Sequence, residues 1–131
     1  MSAILTSILA WIKAVFIKEP YKLSKQFQRD LKQLNKSNPD LSDDLKEFFQ
    51  TFEVEKVKAN RIQDCKGAFK IYMKRSGKNK SGSYRVIYFM RHAGQTWFLH
   101  IYAKNQKVDL SSDDKRQLRN TIEKIKKGEE V

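Results

Sequence analysis

Residues 69–104 read FKIYMKRSGKNKSGSYRVIYFMRHAGQTWFLHIYAK, and the fold is decided there. Side chains of a strand alternate between its two faces. In the opening segment Phe69, Ile71 and Met73 therefore share one side, and Lys70, Tyr72 and Lys74 share the other. Arg75–Ser83 (RSGKNKSGS) is a basic, Gly/Ser-rich loop that suits a hairpin connection. Tyr84–Arg91 (YRVIYFMR) is a second strand, apolar on both faces and so central in its sheet. His92–Gln95 is a turn. Thr96–Lys104 is a third strand, with Trp97, Leu99, Ile101 and Ala103 on one side and Phe98, His100, Tyr102 and Lys104 on the other.

Upstream the period changes from two to that of a helix. Pro20 can open a helix. Leu23, Phe27, Leu31 and Leu34 follow on one helical face. Ser37-Asn38-Pro39 breaks it, with Asn38 as the cap of the next helix and Pro39 at its first position. Leu41, Leu45, Phe48 and Phe52 form the second stripe. A helical hairpin over roughly residues 21–52 results, with nearly balanced charge, and it reads as scaffold. Downstream, Ser111 or Ser112 caps a last helix with Asp113 and Asp114 in its first turn; Leu118, Ile122 and Ile125 are its stripe and Gly128 suits its end.

The first residues need a separate decision. Met1–Ile17 is largely apolar, but the run is shorter than the roughly 20 residues of a spanning helix and Lys13 interrupts it. It lacks the basic opening and small-residue cleavage site of a secretory signal. Residues 13–18 read as a strand and residues 1–12 as an N-terminal extension with a helical turn or two. A membrane-surface contact, a partner-facing extension and an over-long start all stay open for it; stable membrane insertion is not expected. Residues 13–131 then form one domain, ordered strand, two helices, three antiparallel strands, helix. This is an α+β layout with the helices on one face of the sheet. The other face, bearing Lys70, Tyr72 and Lys74, is left for a ligand.

Composition points the same way. The chain has 131 residues, 27 of them Lys or Arg and 15 Asp or Glu, for a formal net charge of +12. Residues 56–91 alone hold eleven cations and one anion. Solubility would scatter the surplus, whereas clustering argues for a face that meets a polyanion. A single cysteine, Cys65, excludes an internal disulfide scaffold and a cysteine metal cluster and fits a reducing compartment, hence a cytoplasmic location. His92 and His100 are separated by a strand and no HExxH pattern occurs, so neither a metal nor a cofactor is expected. Lys66 beside Cys65 would lower the thiol pKa, though a lone cysteine is usually incidental.

What remains is a basic surface interleaved with aromatic rings. Lys70, Lys74, Lys78, Lys80 and Arg85 can neutralise phosphates, and Tyr72 and Tyr88 offer planes for unpaired bases. The same set suits RNA cleavage by the ribose 2′-hydroxyl. That reaction needs a proton acceptor, a donor for the leaving oxygen and cations around the phosphorane. A lysine in a strongly cationic cluster can be the acceptor, because like charges favour its neutral form. The plain alternative is a solvated strand face.

Lys80–Phe89 (KSGSYRVIYF) resembles the GK(S/R)GG-x-R-(V/I)-IYY segment of RelE/HigB-type toxins, the toxin halves of bacterial type II toxin–antitoxin modules. Leu99–Gln106 (LHIYAKNQ), followed by Asp109-Leu110, resembles their LL-x-IY-x-KNE…DL segment. The resemblance covers roughly residues 13–127. It implies a RelE/ParE-like α+β fold, metal-independent cleavage of mRNA on the ribosome, and a cognate antitoxin that masks the basic face. Operator DNA would be met only as the toxin–antitoxin complex. It also implies catalytic roles for Lys70, Lys74, Arg85 and Lys104: Lys70 or Lys74 as acceptor, Arg85 on the phosphorane, Lys104 on the phosphate backbone or leaving side. Tyr72, Lys78, Lys80, Tyr88 and His100 would contact RNA. Departures are the Ser-Gly-Ser loop, Tyr72 where some members have a second Lys, and no aromatic or His after Tyr102. His100 is the remaining candidate acid, against a bland reading as a partly buried strand histidine. Two competing functions keep the fold: a ParE-type gyrase poison and a non-catalytic RNA-binding, autoregulatory domain.

Overall fold

The structure is a computed structural model and describes residues 21–78, 82–91, 94–107 and 109–131. The expected strand at 13–18 and the extension before it lie outside the described residues. The described chain runs β1 (Tyr21–Leu23), α1 (Lys25–Asn35), α2 (Leu41–Glu55), a short 3-10 turn (Lys56–Lys58), β2 (Asn60–Arg61), β3 (Ala68–Met73), β4 (Tyr84–Arg91), β5 (Gln95–Ala103) and α3 (Ser112–Lys126). The five strands form one sheet in the order β1-β5-β4-β3-β2. Only β1 lies parallel to its neighbour, pairing Tyr21–Leu23 with Thr96–Phe98. The α+β class expected from the periodicities is what the molecule has.

The first helix starts later than its apolar stripe suggests. Ser24 is the reason. Its amide bonds to the Phe98 carbonyl at 3.0 Å, so the chain is still in the sheet there. Its Oγ accepts the Phe27 amide and donates to the Leu99 carbonyl, both at 3.0 Å. This is an N-cap anchored to β5. Leu23 thus belongs to β1, while Phe27, Leu31 and Leu34 keep their buried stripe. Asn38 also differs from expectation. Its Nδ2 donates to the Leu34 carbonyl at 2.6 Å, closing the end of α1 instead of opening α2. At α3 the expectation holds: Ser111 and Asp114 form a reciprocal capping box. Gly128 at φ +82° ends the helix, its amide on the Ile125 carbonyl and the Glu129 amide on Lys124, both at 2.9 Å.

The sheet is covered on both faces, not one. The α1–α2 hairpin packs on Ile71, Met73, Val86, Tyr88, Phe98 and Ile101. On the opposite face Leu118, Ile122 and Ile125 of α3 pack on Ile87, Phe89, Trp97 and Leu99. The double-sided apolar pattern of β4 requires this, since each face must find its own cover. Cys65 joins the second cluster, fully buried. Burial raises its thiol pKa against the pull of Lys115 and Arg119, opposite to the expected effect of Lys66, which pairs with Glu123 at 2.8 Å. A β-bulge corrects the faces of β5. Ile87 pairs with His100 but Tyr88 with Phe98, so Leu99 is an extra residue. Phe98, Ile101 and Ala103 consequently share the hairpin face, and Trp97, Leu99 and Tyr102 the α3 face.

Candidate nucleic-acid interface

The register of three strands builds the site. Tyr72 on β3 pairs with Arg85 on β4, which pairs with Tyr102 on β5. One step along, Lys70 pairs with Ile87 and Ile87 with His100. All these side chains but Ile87 are polar or aromatic, and they share the α3 face of the sheet; Tyr72 is exposed there, whereas Tyr102 is buried in the cluster that α3 covers. Neighbouring strands are about 4.8 Å apart, so the Tyr72–Arg85–Tyr102 row spans about 10 Å, enough for two nucleotides of a single strand.

Arg85 is the centre of the row. Its guanidinium sits 5.5 Å from the centre of the Tyr72 ring. Nη1 donates to Ser83 Oγ at 2.6 Å and to the Tyr84 carbonyl at 3.1 Å. No carboxylate among the described residues forms an ion pair with it, so its charge is held in place yet left for an incoming anion. Lys104 flanks it, its amide bonded to the Ser83 carbonyl at 2.9 Å.

Beyond Tyr102 lies a chain of charged groups. Asp30 of α1 accepts the Ile101 amide at 3.0 Å, at the edge of β5 that β1 leaves open, and its Oδ2 is 2.5 Å from His100 Nδ1. An acceptor there places the His100 proton on Nδ1. Nε2 then faces Lys107 Nζ at 3.4 Å, and Lys107 donates to Asp114 at 3.1 Å. Burial works against the Asp114 carboxylate, but the Ser111 amide and Lys107 outweigh it and hold its pKa below the ordinary value. Lys107 also lies 5.5 Å from the centre of the Tyr102 ring. The Tyr102 hydroxyl is buried without a hydrogen-bond partner among the described residues. Burial, with Asp109, raises its pKa against the opposing charge of Arg85. Asp30, His100, Lys107 and Asp114 border a hollow of about 680 Å³ between α1 and α3.

On the other side of Arg85 a groove of about 580 Å³ runs between β3 and α2. It follows the edge of β3: Lys70, Tyr72, Lys74 and Arg85 border it from the α3 side, and Ile71, Met73 and the α2 residues Asp44, Glu47 and Glu55 from the hairpin side.

Of the residues singled out in the sequence, Lys70, Tyr72, Lys74 and Arg85 come together, with Lys104 and His100 along the same face. Tyr88 does not. It is 2% exposed on the hairpin side, stacked 5.6 Å from Phe69 and edge-on to Phe52 at 4.9 Å. Its ring serves the core and cannot stack on a base. Lys78 is exposed but borders a separate hollow with Asp40, Arg75 and Tyr84 at the hairpin end. Lys80 lies outside the described residues. Tyr102, Lys107 and Asp30 were not foreseen. Tyr102 and Lys107 sit within or just after the LHIYAKNQ segment, so that segment was the available signal; nothing local marks Asp30, which reaches His100 across 70 residues.

Among curated proteins none matches the chain. A family model does, described as the RelE toxin of the RelE/RelB toxin–antitoxin system, and it matches residues 23–130, from the last residue of β1 to just past the end of α3. That span contains the whole row on β3, β4 and β5, and the chain belongs to the RelE toxin family.

Proposed function

We propose that this RelE-family toxin is a metal-independent, ribosome-dependent endoribonuclease that cuts mRNA, and that a cognate antitoxin restrains it. The observation that carries the reading is the Tyr72–Arg85–Tyr102 row, with Lys70, Lys74 and Lys104 around an arginine that no carboxylate pairs among the described residues. The exposed Tyr72 ring can hold an unstacked base, and the cations hold the phosphates beside it. Membership of the family supports an antitoxin partner. Among the described residues no helix is long and apolar enough to cross a membrane.

In the proposed reaction the ribose 2′-hydroxyl attacks the adjacent phosphorus. Charge builds on the equatorial oxygens, where the fixed Arg85 guanidinium is worth most. Lys70 and Lys74 act as cations on the flanking phosphates, and Lys104 neutralises the backbone on the leaving side. Tyr72 stacks on a base and steadies the guanidinium. An acidic antitoxin segment laid along the row would neutralise the same charges and block the reaction.

The test is primer extension on a reporter mRNA in a purified translation system, with and without ribosomes, using wild type and Arg85→Ala. Ribosome-dependent cuts that disappear in the variant are expected. Intact mRNA with wild type would overturn the reading. Inhibition of DNA supercoiling would then point to the gyrase-poison alternative, and RNA binding without growth arrest to the non-catalytic one.

A further inference from the structure

Among the described residues Asp44 is the one buried charged side chain, 4% exposed in the first turn of α2. A carboxylate taken out of water needs hydrogen-bond donors in return. The helix N-terminus favours its charge, and both oxygens go to one residue. Oδ2 accepts the Ser76 amide at 3.0 Å and Oδ1 the Ser76 hydroxyl at 2.5 Å. Ser76 lies just past β3, at the neck of the basic β3–β4 loop. Next to it Arg75 crosses that neck. Its Nη1 donates to the Gly82 carbonyl at 3.4 Å, and its guanidinium is 5.5 Å from the centre of the Tyr84 ring. The Lys78 amide closes a turn on the Arg75 carbonyl at 3.1 Å, with Gly77 at φ +76°. The far side of the neck is Ser83, fully buried, whose carbonyl accepts the Lys104 amide at 2.9 Å and whose Oγ accepts Arg85 Nη1 at 2.6 Å. A run of contacts thus leads from Asp44 through Ser76 and Arg75, then Gly82 and Ser83, to the Arg85 guanidinium.

We infer that Asp44 is a positioning residue for Arg85: it holds Ser76, Ser76 fixes the neck of the loop, and the neck holds the guanidinium. This rests on the nuclease reading above and adds what keeps its central cation in place. A loop rich in Gly and Ser has many conformers of its own, and an anchor at one side of the neck limits them. A guanidinium aimed in advance at developing charge needs no reorganisation during the reaction. A misplacement of about 1 Å can cost about 100-fold in rate. Asp44 itself lies beneath the loop and touches no RNA; its effect passes through Arg85.

The experiment is single-turnover cleavage of ribosome-bound mRNA, run as a double-mutant cycle on Asp44→Ala and Arg85→Ala, with Asp44→Asn and Ser76→Ala beside it. Thermal unfolding of each variant checks that it is folded at the assay temperature. Asp44→Ala should lower the rate at saturating toxin by about 10- to 100-fold and leave the half-saturating concentration nearly unchanged. In the Arg85→Ala background the same change should cost less than about threefold, because the group it places is already gone. Asparagine offers an oxygen to the Ser76 amide and an N–H to its hydroxyl, so Asp44→Asn should recover most of the rate. Ser76→Ala, which keeps the amide bond, should fall between the two. A folded Asp44→Ala protein that cuts at the wild-type rate overturns the assignment and leaves the nuclease reading standing. An equal loss with and without Arg85 also overturns it, as the mark of a general effect on the fold, and so does Asp44→Asn as slow as Asp44→Ala. If Asp44→Ala does not fold, Ser76→Ala takes its place in the cycle under the same criteria. No cleavage by wild type at all overturns the nuclease reading and this assignment with it.

Discussion

On the hairpin side of the sheet, the Phe98 ring meets six other aromatic rings at centroid distances of 5.0–6.2 Å. On the α3 side, Arg85 has one ring beside it and no anionic partner among the described residues. Both faces belong to the same three strands, so the backbone is common to them and the difference lies in what covers each. Two helices close the first face along its length. One helix covers part of the second, and the remainder holds cations and aromatic rings. The comparison assigns stability to one face and ligand chemistry to the other, and substitutions can separate the two.

The largest effect expected is on the closed face. Phe98→Ala removes a fully buried ring from the centre of the aromatic cluster. The cost should be about 3–5 kcal/mol, read from urea unfolding. A loss below about 1 kcal/mol would show that the cluster can collapse around the gap and that the faces are less distinct than their packing. Arg85→Ala makes the complementary change. It should lower the cleavage rate by about 100- to 1,000-fold, as loss of one group aimed at developing charge does. Its effect on unfolding should stay near 1 kcal/mol, the worth of its hydrogen bonds to Ser83 and Tyr84. A variant that unfolds as readily as Phe98→Ala would break the separation.

The covered part of the second face depends on α3 being started correctly, and Ser111 does that. Ser111→Ala should cost about 1 kcal/mol in thermal unfolding. The cost should shrink in acid. Asp114, the other half of the capping box, has a folded-state pKa below its ordinary value. The stability it contributes is present above its unfolded pKa of about 3.9 and is lost as pH falls through the folded value. An undiminished Ser111→Ala penalty in strong acid would show that the carboxylate has no part in the cap.

The same contrast separates what could be read in the sequence from what could not. β4 is visible as Tyr84–Arg91 because its alternation is local and strong. Lys70, Tyr72, Lys74 and Arg85 gather as expected, because a period of two fixes which side chains share a face. The misplaced features are set by contacts distant in sequence. β1 is three residues held extended by their pairing with β5. The bulge at Leu99 exists only in the pairing with β4, and it carries Tyr102 onto the site face. Tyr88 alternates with Arg85 as a site residue would on the far side of a bare sheet, yet the hairpin buries it.

The smallest effect tests the closed face at its polar point. Tyr84 is fully buried, and its hydroxyl has no hydrogen-bond partner among the described residues. Burial, aided by Asp44 and Asp40 and opposed by Arg75, pushes its pKa up to about 12. An unfolded tyrosine ionises near about pH 10. The folded value is the higher one, so the stability linked to the neutral phenol is intact below about pH 10 and is lost as pH rises towards the folded value. Tyr84→Phe deletes the group that must ionise without deleting the ring. Near neutral pH it should leave unfolding unchanged or raise stability by up to about 1 kcal/mol, since an unsatisfied buried hydroxyl is removed. In alkali the variant should lose less stability than wild type. What loss remains belongs partly to Tyr88, whose pKa burial also raises to about 12. Thermal unfolding at neutral pH and again in alkali gives the comparison. Equal alkaline losses in the two proteins would mean that the Tyr84 hydroxyl reaches water or a partner, and that the hairpin face is open at that point.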